Sequence, residues 1–334
     1  MKSIAFSCIV DRPRYLMAQC FVWINCLLEI QRVPPESIFV HATAVADPEF
    51  LPWVESLGVN VVRVAQFDSR SPHCNKICQL RTFADSNFDQ IVLMDCDTAW
   101  IGDAPFPSGA PVAGKIVDNA RPPESVLAAV FRMAGLGEPN WVEVSIPKGN
   151  DYRRSDQNNF NGGLYVLDRQ FAAKLDPVWR KWATWCLDRR DSFGEFDLGS
   201  DGKPRTNRID ASMAFPRVEA RALVWDQVSF ALALREMGIS GTQLPIEWNY
   251  PTYSRTLPDV TPQILHYSRH FKPPLKLRKT GIRCPDRAID ILNGKIAGFL
   301  AEHSVRWVAN SERASWTRQF FDFLRGGSSL TSIE

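Results

Sequence analysis

Two aspartates, Asp95 and Asp97, stand one residue apart directly after the apolar run 91–94. Carboxylate oxygens are hard ligands, and two of them at this spacing can meet on one Mg²⁺ or Mn²⁺ where the chain turns. The pattern alone is weak, because Asp-x-Asp triplets arise by chance and also mark solvated strand ends. The preceding run changes this, since ligands of parallel α/β sheets bind at the carboxyl ends of the strands. The pair therefore predicts a metal site at a sheet edge.

A second group of potential metal ligands comprises His73, Cys74 and Cys78. Structural zinc sites usually take four ligands with tighter paired spacing. We therefore do not expect zinc at this group, and a structural role for the three side chains is favoured.

The chain before residue 100 alternates short apolar runs with amphipathic stretches, and these elements must position the aspartate pair. Strands are predicted at residues 4–10, 37–41, 59–64 and 91–94. Helices are predicted between them, at about 16–28, 48–57 and 75–86. Such alternation favours a mostly parallel sheet with helices on both faces.

Beyond residue 100 the pattern loosens. Residues 115–160 show little periodicity and are predicted to form a lid or binding loop, and the polar residues 190–222 a surface insertion. The remaining predicted elements are a strand at 161–167, helices at 176–189 and 226–237, and a strand at 264–267. A helical tail is predicted after Pro273 and Pro274, reaching about residue 325.

The composition is that of an ordinary globular protein of 334 residues, with 45% hydrophobic and 23% charged residues. The net charge of +2 lacks the basic excess of a general nucleic-acid binder, so we expect no nucleic-acid partner. Eight cysteines are too few for a disulfide scaffold. The first 28 residues lack the long apolar stretch of a signal peptide or a membrane span, which predicts a cytoplasmic protein with reduced thiols.

Five sequence blocks carry a resemblance to a known family. They are NKICQLRTFADSNFDQIVLMDCDTAWIGDAPF at 75–106, FNGGLYVLD at 160–168, WDQVSF at 225–230, LPIEWNY at 244–250 and ILHYSRHFKP at 264–273. In this order the blocks resemble glycosyltransferase family 8, which includes glycogenin and the bacterial lipopolysaccharide galactosyltransferases. The resemblance spans about residues 3–273.

The resemblance implies the GT-A fold of nucleotide-diphospho-sugar transferases, an α/β fold with a mostly parallel central sheet. We expect a catalytic domain at 1–275, with insertions at about 115–160 and 190–222, and a helical C-terminal extension at 276–334. The activity implied is transfer of a hexose from a nucleotide-sugar, with UDP-sugar as the expected donor. Family members retain the anomeric configuration.

The resemblance also implies a metal site of Asp95, Asp97 and His266. One nitrogen ligand beside two carboxylates favours Mn²⁺, with Mg²⁺ as the alternative. Lys272 matches the family lysine that meets the diphosphate, a role that suits a compact point charge. Lys76 matches a basic residue near the donor sugar and the metal-site carboxylates. Outside the resemblance, both lysines would be read as solvated or salt-bridged surface residues.

Three further residues correspond to the nucleoside part of the donor. Asp11 and Tyr15 would frame the nucleobase and ribose, with the Tyr15 ring stacking on uracil. The alternative for these two is a helix-capping Asp11 and a core Tyr15. Cys96 would meet the ribose through its backbone.

The donor sugar would be held by Asn161, Gly162, Gly163 and Asp226. Small glycines let the backbone approach a ligand closely, and a carboxylate accepts hydrogen bonds from sugar hydroxyls. Gln227 corresponds to the residue nearest the reacting face of the anomeric carbon. An amide is a poor nucleophile, so a front-face route, in which Gln227 steadies a cationic sugar, is the better hypothesis.

The sequence departs from the family pattern in places. Arg269 replaces a family glycine and Pro274 stands where many members have Trp. The two long insertions are expected to carry recognition of the acceptor, which could be a saccharide, a lipid-linked molecule or a small molecule. Residues 311–325 combine aromatic and arginine side chains. They fit either peripheral contact with the inner face of a membrane or packing on the domain or at a homo-oligomer interface.

Two other functions are weighed against the transferase. A sugar nucleotidyltransferase would need a glycine-rich basic loop after the first strand, and CIVDRPRYL at 8–16 has no glycine. A catalytically silent sugar-nucleotide-binding or interaction module would be indicated by loss of a metal ligand or of Gln227, and none is lost. A metal-dependent retaining glycosyltransferase is therefore the predicted function.

Overall fold

The computed structural model describes residues 3–11, 15–46, 50–107, 109–147, 152–189, 225–251 and 260–266. The predicted insertion 190–222 and the predicted extension 276–334 lie outside the described residues. So do Arg269, Lys272 and Pro274, together with the side chain of Tyr15.

Strands and helices alternate through the first half of the chain, as the sequence predicts. The strands are β1 Ile4–Val10, β2 Ile38–Ala42, β3 Asn60–Arg63, β4 Gln90–Met94, β5 Thr98–Trp100, β6 Val112–Ile116, β7 Trp141–Glu143, β8 Arg154–Asp156, β9 Phe160–Asp168, β10 Thr242–Gln243, β11 Tyr250–Pro251 and β12 Ile264–His266. The α-helices are α1 Tyr15–Asn25, α2 Phe50–Ser56, α3 Glu124–Met133, α4 Arg169–Asp188 and α5 Trp225–Glu236.

Seven strands form the central sheet, in the order β10-β6-β9-β4-β1-β2-β3. The pairs β1–β4, β2–β3 and β6–β10 are parallel, and β6–β9 is antiparallel. All five residues of β4 are buried, which is typical of strands covered on both faces. The predicted mixed α/β class with a mostly parallel sheet is thereby confirmed. A smaller sheet has the order β11-β12-β5.

The chain divides into two compact units. The first unit comprises residues 1–9, 64–93 and 107–244, and the second comprises 10–63, 94–106 and 245–334. In the first, Phe230 stacks on Tyr165 with ring centroids 4.4 Å apart and meets Trp179 edge-on at 4.8 Å. In the second, buried Trp23 donates from its indole nitrogen to the Met94 sulfur at 3.4 Å.

Residues 115–160 are not the irregular loop that the sequence predicts, because they contain α3 and the β7–β8 pair, while a lid or binding role stays a prediction. One carboxylate joins these elements. Glu124 of α3 accepts from the backbone nitrogens of Arg153 and Arg154 at 3.1 and 2.9 Å, and from the Arg154 Nε at 2.8 Å. The sequence reasoning overlooked the helical spacing of the buried residues Leu127, Val130 and Phe131 in α3.

Two helix predictions also differ in detail. Helix α4 begins at Arg169 rather than 176, because the Asp168 carboxylate accepts from the backbone nitrogens of Gln170 and Phe171 at 2.9 and 3.2 Å. This N-cap satisfies amides of the first turn, and Pro177 lies inside the helix. The segment predicted as a helix at 75–86 is a 3₁₀ helix over Pro72–Phe83.

Candidate functional site

The two predicted metal-binding aspartates lie in a tight turn between β4 and β5. The Asp95 carbonyl oxygen accepts from the backbone nitrogen of Thr98 at 3.2 Å and from its hydroxyl at 2.7 Å. These bonds close the turn and leave both carboxylates partly open to solvent, with exposed fractions of 33% for Asp95 and 19% for Asp97. Cys96, between them, is buried.

Strand pairing places His266 beside this turn. Strand β12 runs antiparallel to β5, with His266 opposite Thr98. The His266 Nε2 lies 3.4 Å from an Asp97 carboxylate oxygen and 3.9 Å from one of Asp95. One ligand atom from each of the three residues lies within 4.8 Å of the other two. The structure therefore brings together the three predicted ligands, which we call the Asp-Asp-His triad.

Asn249 sets the chemistry of the imidazole and was missed by the sequence reasoning. Its side-chain oxygen lies 2.9 Å from the His266 Nδ1. A carbonyl oxygen only accepts, so this contact favours a proton on Nδ1, and a neutral imidazole would then carry its lone pair on Nε2, on the side of the carboxylates. Histidines that bind metals commonly have such a partner on the other ring nitrogen. The only sequence signal is the position of Asn249 in the 244–250 block, directly before β11, which pairs with β12.

The donor set of the triad fits a divalent cation. Two carboxylate oxygens and one neutral imidazole nitrogen suit Mn²⁺, and the carboxylates also suit Mg²⁺. The imidazole Nε2 faces both carboxylates, and all three side chains keep some exposure. Asp95, Asp97 and His266 are therefore the residues that would hold the ion.

A second cluster of predicted site residues lies in the first unit, around Gly162. Buried Lys76 donates to the Gly162 carbonyl oxygen. A Cβ placed on Gly162 would lie 3.0 Å from the Lys76 Nζ, 3.2 Å from an Asp226 carboxylate oxygen and 3.3 Å from the Gln227 side-chain nitrogen. The three side-chain tips thus converge on a point that only glycine leaves open. We call Lys76, Gly162, Asp226 and Gln227 the glycine cluster.

Asn161 and Gly163 flank this cluster and hold each other. The Asn161 side-chain oxygen accepts from the Gly163 backbone nitrogen at 3.0 Å. Its side-chain nitrogen donates to an oxygen of buried Asp118 at 2.8 Å, and the other Asp118 oxygen pairs with Lys115. Asp118 and Lys115 were missed because they belong to the segment that the sequence predicts as a loop.

For Asp11 and Tyr15 the structure gives the position in the chain fold. Asp11 directly follows β1 and is half-buried, and Tyr15 is the first residue of α1. Lys272 lies outside the described residues. The roles proposed for these three therefore remain predictions from the resemblance.

The thiols near the glycine cluster are shifted toward their protonated form. Burial raises the pKa of Cys74 to about 12, with the nearby Asp226 charge adding to the effect. Burial also raises the pKa of Cys78. In the metal-free protein these shifts favour the neutral thiol form of both cysteines.

Comparison with known proteins gives little sequence similarity. No family model matches the chain, and no curated protein matches it. A search of solved structures finds mouse xyloside xylosyltransferase 1 in its apo form, at 11% identity and a TM-score of 0.44, covering 80% of this chain and 98% of that chain.

Among the helices that the structure describes, none is long and apolar enough to cross a membrane.

Proposed function

We propose that the chain is a retaining glycosyltransferase that moves a hexose from a nucleotide-sugar, with UDP-sugar as the preferred donor, to a hydroxyl-bearing acceptor. The observation that carries this proposal is the Asp-Asp-His triad, in which the His266 Nε2 faces two carboxylates and its Nδ1 lies beside the Asn249 side-chain oxygen. The five ordered sequence blocks that resemble glycosyltransferase family 8 support glycosyl transfer as the class of reaction.

The triad would hold a divalent cation, Mn²⁺ in preference to Mg²⁺. When bound, such an ion neutralises negative charge on a leaving diphosphate. Asp95 and Asp97 supply the oxygen ligands, and His266 supplies the nitrogen ligand. Lys272 would add a point charge to the same diphosphate, as the sequence resemblance implies.

The glycine cluster would bind the donor sugar. The Asp226 carboxylate accepts hydrogen bonds from sugar hydroxyls, and the absence of a side chain at Gly162 lets a ligand approach the tips of Lys76, Asp226 and Gln227. Asp226 and Gln227 both lie in the first turn of α5. A helix position fixes their backbone, which limits the reorganisation needed on binding.

Gln227 would act on the reacting carbon without becoming bonded to it. In the front-face route, the bond from the anomeric carbon to the diphosphate oxygen breaks and a bond to the acceptor oxygen forms on the same face. The acceptor proton passes to the departing diphosphate oxygen. The Gln227 amide oxygen carries partial negative charge and stabilises the cationic sugar between these events.

A donor screen tests the proposal. Purified protein would be incubated with UDP-, GDP- and dTDP-sugars, with and without Mn²⁺, and release of nucleoside diphosphate and thermal shift would be read together. We expect release from one donor, only with Mn²⁺, and its loss in Asp97→Ala. Asp103→Ala, an exposed aspartate in the same unit, is the matched control. The proposal would be refuted if the protein neither bound any donor nor released nucleoside diphosphate from one.

A further inference from the structure

Strand β9 loses its regular pairing with β6 at its Asn-Gly-Gly sequence. Gly114 of β6 pairs with Tyr165, but Ile116 pairs with Phe160. A single residue of β6, Lys115, therefore lies opposite the four residues 161–164 of β9. Bulges of this kind re-aim side chains and end regular pairing. Other groups must satisfy the backbone that the ladder no longer pairs.

Two backbone groups of this stretch are bonded to side chains. Lys76 donates to the Gly162 carbonyl oxygen, and the Gly163 backbone nitrogen donates to the Asn161 side-chain oxygen at 3.0 Å. The Asn161 side-chain nitrogen donates to Asp118 at 2.8 Å. Both ends of the Asn161 amide are thus engaged, and its orientation follows from where the Asp118 carboxylate lies.

Lys115 fixes that carboxylate. It donates to the Asp118 oxygen that does not contact Asn161. The side chains of Lys115 and Asp118 are only 1% and 4% exposed. Burial lowers the pKa of Lys115, while the charge of Asp118 opposes that shift. Apolar residues of similar volume often pack at least as stably as a buried ion pair, so an ion pair here calls for an explanation other than stability.

We propose that Lys115 is a positioning residue of the donor-sugar site. Through Asp118 it fixes the orientation of the Asn161 amide and, through that amide, the backbone of Gly162 and Gly163. This backbone lies at the centre of the glycine cluster. This inference rests on the proposed function for its effect on turnover. Its structural part, the control of Asn161 by Lys115, concerns the protein without any donor.

The test compares Lys115→Met, which removes the charge and is one heavy atom shorter, with Lys181→Met. Lys181 forms an exposed ion pair with Glu236 in the same unit and is the matched control. Two quantities would be measured: the side-chain amide signal of Asn161 in ¹⁵N-labelled protein, assigned with Asn161→Asp, and kcat/KM for the donor found in the screen. We expect Lys115→Met to shift the Asn161 signal and to lower kcat/KM by about 100-fold, the usual effect of misplacing a site by about 1 Å. Lys181→Met should change neither quantity.

Lys115→Met alone leaves a buried carboxylate without its cation, which also destabilises the fold. The double variant Lys115→Met/Asp118→Asn removes both charges and separates the two effects. We expect it to recover thermal stability toward that of the wild type while the Asn161 signal stays shifted and kcat/KM stays low. Recovery of the wild-type signal and of kcat/KM in the double variant would overturn the positioning role.

The two readouts also separate this inference from the proposed function. An unshifted Asn161 signal in Lys115→Met overturns the positioning role, whether or not the protein turns over a donor. A shifted signal supports the control of Asn161 by Lys115. If wild-type protein neither binds any donor nor releases nucleotide from one, the proposed function fails, and a shifted signal then still supports that control.

Discussion

At the scale of single residues, the triad depends on which nitrogen of His266 carries the proton. The Asn249 side-chain oxygen lies 2.9 Å from Nδ1 and favours a proton there, while Nε2 is the nitrogen nearest to Asp97 and Asp95. A histidine with the opposite tautomer would direct an N–H at two carboxylates and would not ligate a cation through Nε2. We therefore predict that Asn249 supports metal binding by holding the proton on Nδ1.

Asn249→Ala should weaken Mn²⁺ binding by about 10- to 100-fold, because loss of a hydrogen-bond partner behind a ligating histidine has effects of this size. Asn249→Asp keeps an oxygen that accepts from Nδ1 and should retain more of the affinity. Isothermal titration with Mn²⁺, with thermal unfolding of the metal-free proteins as control, measures this. Equal affinity of wild type and Asn249→Ala would exclude the role given to Asn249.

Gln227→Ala should lower kcat for the donor by about 100-fold, with a much smaller change in donor affinity. The reason is that a charge-stabilising group acts mainly on the transition state. Gln170→Ala, an exposed glutamine on α4, is the control. Steady-state kinetics together with donor binding measures both quantities. Parallel losses in kcat/KM and binding, with kcat unchanged, would make Gln227 a residue that only holds the donor.

At the scale of elements, strand pairing and helix starts place most of the predicted site residues. The antiparallel pairing of β5 and β12 sets His266 beside the Asp95–Asp97 turn. The register shift of β9 lies at Gly162, and the first turn of α5 contains Asp226 and Gln227. These residues lie at the end or at an irregularity of an element, where geometry differs from the regular repeat, whereas Lys76 lies inside a 3₁₀ helix.

Gly162→Ala should lower donor turnover roughly tenfold to 100-fold, since the new methyl group would displace the tips of Lys76, Asp226 and Gln227. The displaced atoms are the ends of side chains, so the fold should tolerate the change. Donor kinetics and thermal unfolding check the two halves of this expectation, and Mn²⁺ affinity should be unchanged. Wild-type turnover in Gly162→Ala would show that the glycine cluster does not bind the reacting sugar.

Asp168→Ala should destabilise the protein by about 1 kcal/mol, the usual effect of removing an N-cap. The Asp168 carboxylate accepts from two backbone nitrogens of the first turn of α4. Asp168→Ser keeps a capping oxygen and should recover most of the loss. Chemical denaturation measures the free energy of unfolding, and an unchanged value for Asp168→Ala would remove the capping explanation for the early start of α4.

At the scale of the whole molecule, each of the two compact units contains one cluster of predicted site residues. The first unit contains the glycine cluster with Asn161, Asp118 and Lys115, and the second contains the triad with Asn249. Each cluster is assembled from segments distant in sequence, so the chain must fold before either exists. A metal or a donor that binds only the folded state should therefore raise the unfolding temperature.

The alternation of strands and helices in the sequence predicts the mixed α/β class. The strand end before Asp95 and the order of the sequence blocks group the three residues of the triad correctly. The sequence does not reveal Asn249, which is 17 residues from His266, or Asp118, which is 43 residues from Asn161. Those contacts depend on strand register and on the bulge opposite Lys115. Neither feature leaves a periodic pattern, and both become visible only in three dimensions.

We propose that Asp95, Asp97 and His266 form a metal centre. Pulsed electron paramagnetic resonance of Mn²⁺ bound to the protein probes the histidine ligand, because a directly coordinated imidazole gives a nitrogen coupling. We expect one such coupling in the wild type and its loss in His266→Ala at Mn²⁺ concentrations at which the two carboxylates still hold the ion. Bound Mn²⁺ without nitrogen coupling, or the same coupling in His266→Ala, would exclude His266 as a ligand.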